Sequence, residues 1–310
     1  MKHLICALAL FAIAAPSAGE AQQESHSSAT DAVTVQQSVA EDPGHAPIPL
    51  VIWSPASGTS LPMILISHGT AAGPLSHVDT ARALAAAGFV VVAPMHPGDN
   101  FQDDSIVGKS AWFVDRSRQV HQTISDMLEK WSDHSRIKPK AIGIFGFSAG
   151  ATTALVSIGG KPDLAQVADH CAKSPEFVCK ILAPRAADQA PQFIHDDRIA
   201  AAVIAAPGLG FAFEPNGLKE VRVPVQLWTG EADQTVPYAS NTAIVRRLLT
   251  SDIDFHNVPN GSHLSFLAPC NAETPRFLCQ DEPNFDRAAF HVVFNQALTA
   301  FFQAKLLPGR

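Results

Sequence analysis

The pentapeptide Gly146-Phe147-Ser148-Ala149-Gly150 holds the residue types of nucleophilic catalysis at a spacing that suits it. A serine hydroxyl is a weak nucleophile unless a sharp turn exposes it beside a base and beside backbone N–H groups that can receive an oxyanion. Glycines two residues before and after the serine leave room for such a turn, where a Cβ would crowd it. The spelling recurs by chance, so its context carries the weight. It stands between the strand-like run Lys140 to Phe145 and a helix-forming run from Ala151. The chemistry of such a serine is acyl transfer.

The base and its carboxylate must come from later loops, in the chain order Ser, acid, His. A strand-like run ends at Trp228 and is followed by Thr229-Gly230-Glu231-Ala232-Asp233, which makes Asp233 the expected acid and Glu231 the fallback. Of 13 histidines, His263 alone lies on a Gly-containing loop, Asn260-Gly261-Ser262-His263, after the last strand-like run and before the final helix. His256 falls inside that strand pattern and His291 inside the helix, so both are expected to be structural. The oxyanion donors are expected to be the N–H groups of Ala149 and of Thr70, in the loop Ser67-His68-Gly69-Thr70. His68 reads as a brace for that loop. His96, Asp99, Asp103 and Asp104 have metal-ligand types, but a serine triad needs no metal or cofactor, and they read as a rim of the active-site mouth. Phe147, Phe211 and Phe213 are candidates to line an acyl pocket.

These residues need a scaffold that brings strand ends together. Pro62 to Ser67, Phe89 to Pro94, Ala141 to Phe145, Arg198 to Pro207 and Val221 to Trp228 are short apolar runs typical of strands covered on both faces, and Ile253 to Val258 reads as a last strand. Helical patterns separate several of them: Ser76 to Ala87, the row Val120, Ile124, Met127, Leu128 and Trp131, and the run from Ala151. Strand and helix in alternation imply a mostly parallel sheet with helices on both faces, entered through antiparallel strands Val33 to Val39 and Ile48 to Trp53. Residues 160–197 have little strand character and read as a cap or lid inserted over the carboxyl edge. The closing helix, Phe285 to Leu306, is expected to pack Phe285, Ala289, Val293, Ala297 and Phe301 on the sheet, with Phe290, Phe294, Leu298 and Phe302 beside them.

Composition bounds the setting. With 310 residues, 46% of them hydrophobic, the chain can bury a large core, and one α/β domain spanning residues 22–310 is the economical reading. A net charge of −7 without a Lys/Arg cluster argues against nucleic acid as a partner. Residues 1–21 have the charged head, apolar middle and small-residue exit of a secretory signal, which predicts export to the periplasm or medium. No later segment has the pattern of a transmembrane span. Loss of the signal removes Cys6 and leaves Cys171, Cys179, Cys270 and Cys279. Of three possible pairings, Cys171 with Cys179 and Cys270 with Cys279 is the simplest, and each closes a short loop.

The stretches 65–74 (LISHGTAAGP), 85–100 (AAAGFVVVAPMHPGDN), 142–155 (IGIFGFSAGATTAL), 227–237 (LWTGEADQTVP) and 260–270 (NGSHLSFLAPC) together resemble the α/β-hydrolase superfamily. Within it they are similar to bacterial dienelactone hydrolase-like proteins related to platelet-activating-factor acetylhydrolases. The resemblance implies an α/β-hydrolase fold, a triad of Ser148, Asp233 and His263, oxyanion donors at Thr70 and Ala149, and hydrolysis of a small or short-acyl ester. Dienelactone hydrolase proper carries a cysteine nucleophile, whereas position 148 is serine. Acyl transfer to an alcohol, lipase activity on long chains, and a non-catalytic binding protein of the same fold are the alternatives to a short-chain esterase.

Overall fold

The computed structural model describes residues 33–109, 111–182 and 192–307. The expected signal segment 1–21, the polar stretch after it and residues 183–191 of the 160–197 insertion lie outside the described residues.

Eight strands form one sheet: β1 (Val33–Ala40), β2 (Ile48–Pro55), β3 (Leu61–Ser67), β4 (Val90–Pro94), β5 (Ile137–Phe147), β6 (Ile199–Ala205), β7 (Val225–Gly230) and β8 (Ile253–Val258). Their order is β1-β2-β4-β3-β5-β6-β7-β8. β2 pairs antiparallel with both β1 and β4, and every pair from β4 to β8 is parallel. Parallel strands end on one edge, so the loops after β3, β5, β6, β7 and β8 all emerge on the same side. Their register sets which loops are neighbours: Ser67 faces Gly146, Phe147 faces Ala205, and Gly230 faces Val258.

Helices cover both faces because the central strands are apolar on both. α2 (Trp112–Glu129), α3 (Ala149–Ser157) and α6 (Thr242–Leu248) close one core, with Val120, Ile124, Met127, Leu155 and Val245 buried against Leu65, Ile144 and Leu227. α1 (Val78–Ala86) and α7 (Arg287–Leu306) close the other, where Leu84, Phe294, Leu298 and Phe302 meet Ile64, Phe145 and Val203. Gly88, at φ 99°, turns the chain out of α1, a conformation a side chain would strain.

The buried stripe of α7 is His291, Phe294, Leu298, Phe301, Phe302 and Leu306, while Val293 is 60% exposed and Ala289 faces out. The expected row Phe285, Ala289, Val293, Ala297, Phe301 therefore fails at Ala289 and Val293, while Phe285, Ala297 and Phe301 do pack on the core. An i+4 row drifts about 40° per step around a helix of 3.6 residues per turn, so Ala289 and Val293 turn off the face that Phe301 occupies, and Phe285 escapes the drift because it precedes the helix.

Between α3 and β6 two short helices, α4 (Gln166–Lys173) and α5 (Val178–Ile181), lie over the carboxyl edge and are joined by the Cys171–Cys179 disulfide. The second disulfide, Cys270–Cys279, closes the loop between β8 and α7. Both pairings are the ones expected from spacing. No helix among the described residues is long and apolar enough to cross a membrane.

Candidate active site

β5 runs directly into Ser148, which adopts φ 55° and ψ −120° before α3 begins at Ala149. A non-glycine residue with positive φ is strained, and the packing around it must hold it there. The turn is that tight because its flanking glycines touch backbone: a Cβ on Gly150 would lie 1.9 Å from Ser67 O, and one on Gly146 2.2 Å from Gly150 O. Ser148 N–H donates to Ala205 O at 3.0 Å, anchoring the elbow to β6.

His263 Nε2 lies 2.9 Å from Ser148 Oγ, and His263 Nδ1 lies 2.7 Å from Asp233 Oδ2. The other oxygen of Asp233, Oδ1, accepts from Thr235 N–H at 2.9 Å and Val236 N–H at 2.8 Å. A carboxylate satisfied this way stays oriented, and Asp233 is 3% exposed. With an ionised Asp233 as acceptor, Nδ1 carries the proton and Nε2 is left to accept from the serine hydroxyl. The loops that carry acid and base are knitted by Glu231 N–H to Val258 O and Ala232 N–H to Gly261 O, each 3.0 Å. Glu231, the fallback acid, is exposed and accepts instead from Asn260 N–H at 3.2 Å.

The His263 turn is held from below. Ser262 N–H donates to Ser265 Oγ at 3.0 Å, and Ser265 Oγ donates to Asp281 Oδ1 at 2.9 Å. His291 Nε2 donates to Ser265 O at 3.0 Å, while its Nδ1 meets Asp79 Oδ2 at 2.6 Å. His256 stacks on Trp228 with ring centroids 3.9 Å apart. Both histidines are structural, as their positions implied.

Thr70 and Ala149 line one cavity with Ser148. The cavity measures about 30 Å³, and its apolar wall is Trp112, Phe113 and Leu209 from the body with Phe177, Val178 and Ile181 from the α4–α5 segment. Residues Phe147, Phe211 and Phe213, expected to line an acyl pocket, are not among its walls. Phe147 packs behind the base, 4.8 Å from the His263 ring; Phe211 stacks on His170 at 3.6 Å; Phe213 is fully buried in the core. Nearness to the strand ends in sequence does not say which way those rings turn.

Glu176, from the segment between α4 and α5, also lines the cavity, and no sequence signal pointed to it. Its carboxylate pairs with His170 and accepts from Asn241 Nδ2 at 2.7 Å, fastening this segment to the body.

The loop His96 to Asp99 is not a rim, because both residues are fully buried behind the loop that follows β3. His96 Nε2 lies 2.9 Å from Ser67 Oγ and its Nδ1 2.8 Å from Gln119 Oε1. Asp99 accepts from Ala71 N–H at 2.7 Å and from Trp112 Nε1–H at 2.6 Å, and pairs with Arg116. Arg116 had a readable signal: it interrupts the apolar stripe of α2 between Phe113 and Val120, and a charge there needs a buried partner. His68 braces its loop as expected, with Nδ1 donating to Gly69 O at 2.8 Å and Nε2 accepting from His96 N–H at 3.3 Å. Burial, and then the Arg116 charge, push the His68 pKa down to about 3, and the same two causes in that order hold His96 well below its usual value. His68 is thus neutral at pH 7 with both nitrogens committed, which leaves it no capacity to serve as a base.

Among the described residues no three His, Cys, Asp or Glu side chains group as metal ligands. The arrangement can deprotonate a serine hydroxyl, stabilise the resulting imidazolium, and offer backbone donors to a developing oxyanion.

Residues 48–180 match the model of the dienelactone hydrolase family. Among solved structures the chain is similar to a dienelactone hydrolase from Anabaena variabilis, at 16% identity and a TM-score of 0.55, over 88% of this chain and 99% of that one. No curated protein matches the sequence.

Proposed function

From a chain whose residues 48–180 carry the dienelactone hydrolase pattern and whose sheet has the α/β-hydrolase form, a hydrolase of that superfamily, we infer a serine esterase acting on short-acyl carboxylic esters. The observation that carries this reading is the His263 imidazole bridging Ser148 Oγ at 2.9 Å and Asp233 Oδ2 at 2.7 Å.

In the proposed reaction Ser148 Oγ attacks the ester carbonyl carbon as its proton passes to His263 Nε2. Asp233 stabilises the imidazolium through Nδ1–H. The tetrahedral oxyanion is received by the N–H groups of Ala149 and Thr70, the first of which points out of the N-terminus of α3. His263 then protonates the leaving alcohol as the C–O bond breaks, leaving an acyl-serine. Water adds to that ester with the same base, and the acid product leaves with Ser148 restored.

The cavity supports a short acyl group. It measures about 30 Å³ beside Ser148, and its walls are mostly apolar. The α4–α5 segment acts as its cap, and the apolar side chains of Phe177, Val178 and Ile181 exclude longer chains. Export is part of the same reading: two disulfides suit an oxidising compartment, and the segment 1–21 has the composition of a signal.

The test is hydrolysis of nitrophenyl esters of increasing chain length by the purified mature chain. An optimum at acetyl or butyryl is expected, together with covalent labelling of Ser148 by a fluorophosphonate. Ser148→Ala is expected to lower kcat by a factor on the order of 10⁶. Undiminished hydrolysis by that variant would falsify the assignment.

A further inference from the structure

The loop that offers Thr70 has no regular structure, and Ala71 within it sits at φ 51°. Three consecutive peptide units of this loop are each pinned by a buried group. The unit between His68 and Gly69 is held at His68 O, which accepts from the Arg116 guanidinium. The unit between Gly69 and Thr70 is held at Gly69 O by His68 Nδ1–H at 2.8 Å. The unit between Thr70 and Ala71 is held at Ala71 N–H, which donates to Asp99 Oδ1 at 2.7 Å. In a trans peptide the C=O and N–H point in opposite directions, so fixing Gly69 O also fixes the direction of Thr70 N–H.

Asp99 and Arg116 are the hub of this arrangement. Both are fully buried. Asp99 Oδ2 takes the Arg116 guanidinium and Trp112 Nε1–H, and Trp112 is a wall of the cavity. Arg116 also donates to Ser67 Oγ at 3.2 Å and to Thr153 Oγ1 at 2.8 Å, one turn along α3 from the nucleophile. End of β3, elbow helix, oxyanion loop and acyl wall are therefore joined through one ion pair. A buried pair of this kind is seldom needed for stability, since apolar residues of similar volume often do as well. Its geometry is more informative than its charge: each donor and acceptor ends on a group that sets the oxyanion site.

We propose that Asp99, held by Arg116, is a positioning residue of the oxyanion hole: it fixes the Thr70–Ala71 peptide at Ala71 N–H while His68 fixes the Gly69–Thr70 peptide at Gly69 O, and the two together aim Thr70 N–H at the carbonyl oxygen of an ester on Ser148, with Asp99 also tying that loop to the acyl wall at Trp112. The proposal rests on the serine esterase reading above.

The test is Asp99→Asn, which keeps an acceptor for Ala71 but turns an NH2 group toward the Arg116 and Trp112 donors and leaves Arg116 unpaired. Three quantities are read: kcat and KM on a short-chain nitrophenyl ester, the inhibition constant of a trifluoromethyl ketone that forms an oxyanion adduct with Ser148, and the melting transition. In the folded variant kcat is expected to fall about 10²-fold with KM changed by less than about 3-fold, since donors act on the transition state and small misplacements are costly. Affinity for the ketone should fall by a similar factor. The proposal is overturned if folded Asp99→Asn keeps the kcat of the parent chain, or if kcat falls while ketone affinity does not. If Asp99→Asn does not fold, Arg116→Lys carries the same three readings, because an ammonium keeps the charge but cannot reach Asp99, His68, Ser67 and Thr153 together. Failure of the esterase reading shows separately, as residual hydrolysis in Ser148→Ala.

Discussion

Ser148, His263 and Asp233 are held by hydrogen bonds that leave each of them one productive state. Asp233 spends Oδ1 on the backbone of its own loop and Oδ2 on the base, so it cannot turn away without losing three partners. This makes the tautomer of His263 the sensitive quantity. Asp233→Asn offers an amide N–H toward Nδ1 and favours the wrong tautomer, and on the proposed esterase reading kcat is expected to fall by about 10⁴ with KM little changed. Steady-state rates at pH 7 to 8 check this. A loss smaller than tenfold would mean that His263 is oriented mainly by Phe147 and the Ser262 turn instead.

At the scale of elements, the site depends on close approach between backbone segments. Gly150 lets α3 start against the end of β3, and a methyl group 1.9 Å from Ser67 O cannot be accommodated without moving the elbow. Gly230 does the same between the acid and base loops, where a Cβ would lie 2.3 Å from Gly261 O. Gly150→Ala is therefore expected to abolish fluorophosphonate labelling of Ser148 even where folded protein is recovered. The α4–α5 segment, proposed above as a cap, is a different kind of element, packed on the body through Val167, Val178 and Ile181 and stapled by Cys171–Cys179. Opening that loop forfeits about 2.5 kcal/mol of loop-closure entropy on the chain model. The paired change Cys171→Ser with Cys179→Ser should loosen the apolar wall and raise the ratio of hexanoyl to acetyl ester hydrolysis severalfold. An unchanged ratio would show that the disulfide does not set acyl length.

For the molecule as a whole, buried histidines link stability to pH. Burial and the Arg116 charge lower His68 to about 3, and burial is the main cause that lowers His77 to about 4. The folded state binds these protons less readily than the unfolded chain, whose histidines titrate near 6.5. Their neutral forms therefore cost nothing above about pH 6.5, and stability is lost as pH falls from there toward 4. Each such group contributes a slope of about 1.4 kcal/mol per pH unit within that window. His77→Leu, in a pocket bounded by the Phe145 and Phe147 rings, is expected to remove one proton's share of the slope. Urea unfolding midpoints at pH 7 and pH 5 measure it, and an equal slope in both chains would refute it.

The sequence by itself determined the alternation of strands and helices and three residues that converge at one edge, and it made the two local cysteine pairings the simplest of three. Each of these rests on a local signal: an apolar run, a short spacing, a glycine-marked turn at a strand end. Asp233 and His263 were legible because strand ends put them at the edge whatever the side chains around them do. Only tertiary structure decided the cavity wall, where Trp112, Phe177 and Ile181 stand and the expected Phe147, Phe211 and Phe213 do not. It also decided that His96 and Asp99 face inward to Arg116, and that Val293 faces water. The direction of a side chain in a loop, or at the margin of a helix face, is set by what packs over it, and that information resides in residues far away along the chain.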